Sequence, residues 1–95
     1  RIPCGTFGRW LGQEHWVKRF NEAGRWGSYL RVLAEGDLGA GDAITIESRP
    51  GHGVTVTDVA RVYTGDRDPD RLARVEACAD VEDETRGKAR AALAL

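Results

Sequence analysis

Two hydrophobic periods alternate along this chain. Trp16, Val17, Phe20 and Ala23 recur at helical spacing. Glu14 stands at the start of that stretch, Lys18 and Arg19 lie further along, and Gly24 is placed to end it, so residues 14–23 predict a helix. Before it, Gly5, Gly8 and Gly12 surround Phe7, Trp10 and Leu11, a pattern for a turn into a short helix or an irregular loop. Past Trp26 the period falls to two. Leu30, Val32 and Ala34 alternate with Tyr29, Arg31 and Leu33, which predicts a strand over 28–34. Gly36, Gly39 and Gly41 supply turn chemistry. Ile44 and Ile46 then share one face of a second strand over 43–48, expected to pair antiparallel with the first. A lone hairpin is marginal in water, so this pair is expected to need further sheet.

Arg49-Pro50-Gly51-His52-Gly53 breaks the pattern, and the helical period returns. Thr55-Val56-Thr57-Asp58 reads as a helix-capping sequence, followed by Val56, Val59, Val62 and Tyr63 on one face and Gly65 as the stop. Asp68-Pro69 starts a second helix, with Leu72, Val75 and Ala79 as its apolar stripe. Residues 81–93 predict a third, weaker helix with Val81, Ala89, Ala92 and Leu93. The expected fold class is therefore α+β, with a helix and β-hairpin over 1–50, a linker at 51–54 and a three-helix unit over 55–95.

Ninety-five residues, 41% hydrophobic and 31% charged, suit a soluble globular chain. No apolar run approaches a membrane span. Fourteen basic residues against 15 acidic ones give no general reason to expect nucleic acid or an anionic membrane. Residues 55–95 hold seven basic and nine acidic side chains, net −2, which disfavours a DNA-binding helical tail. Two cysteines, Cys4 and Cys78, are too few for a disulfide scaffold and read as free thiols in a reducing cytoplasm. The chain lacks methionine and opens on Arg1-Ile2-Pro3-Cys4, which predicts a piece of a longer protein.

Cys4 is the first candidate for chemistry. It lies between proline and glycine where a helix can open, and backbone N–H groups and arginines there can favour the thiolate, a soft-metal ligand. A lone cysteine is more commonly structural, and spacing alone favours that reading. The absence of CxxC and HxxxH patterns argues against a zinc site. Arg1, Arg9, Arg19, Arg25 and Arg31 could grip a phosphate by their planar forks, although at least half are expected to be plain surface arginines. His15 can be paired with Cys4 on paper, but an exposed helix histidine is the simpler reading, and His52 is isolated. Trp10, Trp16, Phe20 and Trp26 are expected to pack rather than stack on a ligand.

A resemblance carries the reading further. Arg1-Ile2-Pro3-Cys4, Trp16-Val17-Lys18-Arg19-Phe20, Gly27-Ser28-Tyr29-Leu30-Arg31-Val32-Leu33 and Gly39-Ala40-Gly41-Asp42 resemble, in order, the C-terminal motifs of MOSC proteins. The segment from His52 to Val56 is similar to the bacterial branch related to the 6-N-hydroxylaminopurine resistance protein, whose members carry a three-helix appendage. The resemblance implies the C-terminal part of a β-barrel that binds the molybdenum cofactor, a molybdopterin with a dithiolene and a phosphate. It implies Cys4 as the metal-binding and catalytic thiolate, and Arg1, Arg25 and Arg31 as cofactor contacts. The activity implied is reduction of N-hydroxylated compounds, a small-molecule substrate class, with this chain alone inactive. The alternatives are a sulfur carrier in cofactor sulfuration and a non-catalytic adaptor. Redox-partner or cysteine-desulfurase contacts go with these readings. Many relatives carry lysine two residues after the cysteine, where this chain has Thr6. Only Lys18 and Lys88 are present, neither in a matching context, so pyridoxal phosphate is not expected.

Overall fold

The computed structural model describes residues 1–95 and contains five helices and no strand. They are α1 (Gly5–Leu11), α2 (Trp16–Ala23), α3 (Val56–Tyr63), α4 (Pro69–Ala77) and α5 (Asp83–Leu93). The expected α+β class, with its portion of β-barrel and its hairpin over 28–48, is thus corrected to an all-helical chain. Every residue from Gly27 to Gly53 is exposed. The one backbone hydrogen bond within that arm is a turn, Asp42 N–H to the Gly39 carbonyl at 3.1 Å, where Asp42 Oδ2 also accepts from the Gly39 N–H at 2.7 Å. The turn expected from the glycines forms, but the flanking segments do not pair. Strand pairing is non-local, and this chain supplies neither a third strand nor an apolar surface packed over the two. The chain makes 39 backbone–backbone hydrogen bonds, where one of this length ordinarily makes on the order of 65. Its radius of gyration is 16.1 Å, against about 12 Å for a close-packed domain of the same length.

The helices fall into two sets. α1 and α2 pack on each other; α3, α4 and α5 pack among themselves. In the first set, Phe7, Trp16 and Phe20 meet edge to face, with ring centroids 5.5–6.1 Å apart. Gly8 makes this approach possible, because a Cβ there would lie 2.9 Å from that of Trp16. Gly12 and Gly24 close α1 and α2 in the left-handed conformation, at φ 65° and 68°.

The second set follows the helical pattern of its sequence closely. Thr55 Oγ1 accepts from the Asp58 N–H at 3.1 Å, and Asp58 Oδ2 accepts from the Thr55 N–H at 3.1 Å, a reciprocal cap on α3. Asp68 caps α4 through the N–H groups of Asp70 and Arg71, with Pro69 at the first helical position. The core is Val62, Leu72, Val75 and Ala89, flanked by Val54, Val81 and Ala92. The expected stripe on α4 shifts at its end: the helix stops at Ala77, so Cys78 turns inward and Ala79 stays exposed. A partly buried ion network braces α3 against α4. Asp58 Oδ1 accepts from Arg71 Nε at 3.1 Å and from Arg74 Nη2 at 3.4 Å, and Arg71 also pairs with Asp66.

Candidate functional site

Cys4 is exposed and occupies the N-cap position of α1, with extended backbone before the first helical turn. Its sulfur makes no capping hydrogen bond of ordinary geometry. It lies close enough to several dipoles to be affected by them. The Thr6 N–H, the Thr6 hydroxyl and the Phe7 N–H, with the Arg1 charge adding to them, hold the thiol below its ordinary value. Arg9, one turn further on, donates from Nη2 to Thr6 Oγ1 at 3.1 Å. Thr6 stands where the resemblance would place a lysine, and Arg9 is bonded to its hydroxyl. The sequence carried a signal for this hydrogen bond: Thr6 and Arg9 are three apart and share a helix face.

The space beside Cys4 is a shallow hollow of about 300 Å³ lined by Arg1, Pro3, Cys4, Phe7, Phe20 and Gly27. Of the arginines the resemblance nominates, Arg1 is brought to it. Arg25 and Arg31 are not. Arg25 is exposed between Gly24 and the buried Trp26, and Arg31 is exposed in the unpaired arm. His15 caps α2 in the left-handed conformation, at φ 55°, and lines a different cleft with Arg9, Gln13 and Lys18. Cys78 is buried in the three-helix unit and makes no contribution near Cys4. No group of three or more histidine, cysteine, aspartate or glutamate side chains could hold a metal ion together. No helix is long and apolar enough to cross a membrane.

A thiol kept toward thiolate, on the surface, beside one arginine and two aromatic rings can do two things. It can donate to a soft metal centre that brings its other ligands with it, or it can carry a sulfur atom. It cannot build a metal site from protein donors alone. Residues 1–45 match the family model of the MOSC domain. All four nominated residues, Cys4, Arg1, Arg25 and Arg31, lie inside the MOSC match, as do α1, α2 and the arm as far as Thr45. The match supports a molybdenum-cofactor-related function. The helices α3–α5 lie outside it. Comparison with curated proteins and with solved structures returned no match.

Proposed function

We propose that this chain belongs to a molybdenum-cofactor-binding protein in which the Cys4 thiolate contacts the metal. The observation that carries the reading is the position of Cys4 within the MOSC match, exposed and with its thiol lowered by Thr6, Phe7 and Arg1. The residues present fit such a group in part. A cofactor that brings its own dithiolene sulfurs needs one protein thiolate, and Cys4 is available. Arg1 is placed to meet an anionic group beside it. Arg25 and Arg31 are too far out in the chain's exposed connections to be assigned from the hollow, and their contact with the cofactor stays part of the proposal. When bound, the cofactor would supply the two-electron chemistry that reduces an N-hydroxylated substrate. The chain's own part is to hold the thiolate, through the Thr6 and Phe7 dipoles and the Arg1 charge, and to shape the hollow with Phe7 and Phe20.

A sulfur-carrier role is the second reading, favoured by the exposure of the Cys4 thiol, which leaves room for a donor to approach. X-ray absorption at the molybdenum edge, on the complete protein with and without Cys4→Ser, tests the first. Serine is nearly isosteric but a far poorer soft donor, so loss of one sulfur from the metal's shell and of N-hydroxyl reduction is expected. An unchanged shell with activity kept would make Cys4 an ordinary surface thiol. The thiol itself can be read separately: Thr6→Val should move the pH profile of Cys4 alkylation upward, because the hydroxyl dipole is gone.

A further inference from the structure

The two helix sets are tied by very little. No helix of the first set packs on a helix of the second, and the chain between them from Gly27 to Gly53 is exposed throughout. What does join them is Trp26. Its ring is buried, its Nε1–H donates to Asn21 Oδ1 at 2.9 Å, and the Arg61 guanidinium of α3 lies over it, 5.2 Å from the ring centroid. Arg61 forms no ion pair, unlike Arg71, Arg74, Arg86 and Arg90 of the same unit. Its charge is spent on the indole face. Gly24 admits the approach: a Cβ there would lie 3.1 Å from Arg61 Nη2. Beside this contact, Arg1, Ile2 and Tyr29 face Val56 and Val59 across a groove of about 330 Å³ that neither set forms alone.

We propose that Arg61 on Trp26 is the joint that holds the three-helix unit against the segment carrying Cys4, and that opening it dissolves the groove between them. With the joint closed the arm adds only Tyr29 to the groove and His52 beside Asp80; with it open the arm is a flexible tether and the two sets separate, each internally intact. The inference does not depend on the cofactor reading, since its test uses no cofactor.

The test is hydrogen exchange at the Trp26 indole N–H, followed by NMR in the full chain, with alkylation of buried Cys78 as a gauge of the three-helix core. Arg61→Gln should speed Trp26 indole exchange by about tenfold, the scale of one well-desolvated cation–π contact, and leave Cys78 protected. Trp26→Leu should enlarge the radius of gyration seen by small-angle X-ray scattering, again with Cys78 protected. Unchanged exchange in Arg61→Gln, or unchanged scattering in Trp26→Leu, would overturn the joint. So would Cys78 becoming reactive in either variant, because Arg61 or Trp26 would then be serving the core of the unit instead.

Discussion

Between Gly27 and Gly53 the chain carries Tyr29, Leu30, Val32, Leu33, Leu38, Ile44 and Ile46, and all of them are exposed, Leu33 by 90% and Ile44 by 93%. Between Val54 and Leu95 smaller residues are buried completely: Val75 and Ala89 have no exposed surface. Side-chain hydrophobicity is therefore not what separates the two regions. The period is. A helix closes its backbone hydrogen bonds within four residues, so each of α3, α4 and α5 needs its neighbours only for its apolar stripe. A strand closes none of its own, and the arm's two strand-like stretches meet no sheet that would reward pairing.

The sharpest way to break this contrast is to make the same deletion in both regions. Leu72→Ala removes a core side chain from the three-helix unit and should cost about 2–5 kcal/mol, enough to unfold so small a core, as read by urea denaturation. Leu33→Ala in the arm should shift the same curve by less than about 0.5 kcal/mol. Equal effects would mean that the arm is packed.

Next in size is the ion network. Burial works against the Asp58 charge, but the Thr55 N–H, Arg71 and Arg74 outweigh it and hold the carboxyl below its ordinary value of 3.8. Asp66 is lowered in the same way, by Arg71 against its own partial burial. A depressed folded-state value means stabilisation that is complete above pH 3.8 and is lost as pH falls through the lower folded values. The helical signal of α3–α5 should therefore fade on acidification below about pH 4. Asp58→Ala should cost about 2 kcal/mol at neutral pH, through the lost cap and the partner taken from Arg71, and should flatten that acid transition. An unaltered acid transition in the variant would move its cause elsewhere.

The smallest effect is the cap alone. Thr55→Ala leaves Asp58 with its arginines and should lower stability by about 1 kcal/mol, measured by thermal unfolding of the helical signal. Gly39 and Asp42 form the corresponding local feature of the arm, and Asp42→Ala should leave thermal unfolding unmoved, since the turn supports no packed element.

The candidate site divides along the same line. The lowering of the Cys4 thiol has a local cause, the N–H groups of Thr6 and Phe7 just after it, while its nomination as a metal ligand came from the resemblance, because its spacing alone favoured a structural cysteine. The Thr6–Arg9 hydrogen bond could have been read from their spacing. Arg25 and Arg31 were nominated from the resemblance, and both stand exposed away from the hollow beside Cys4.

What the amino-acid order determined by itself was whatever closes within a few residues: the caps at Thr55 and Asp68, the glycine stop at Gly24, the stripe of Leu72 and Val75, and the Gly39–Asp42 turn. Only the tertiary structure decided that residues 28–48 stay unpaired, that α4 ends early enough to bury Cys78, and that Arg61 covers Trp26 across more than thirty residues of chain. Those outcomes turn on which contacts between distant segments form and which do not. Their cost is the entropy of closing a long loop, and no window of sequence holds both partners.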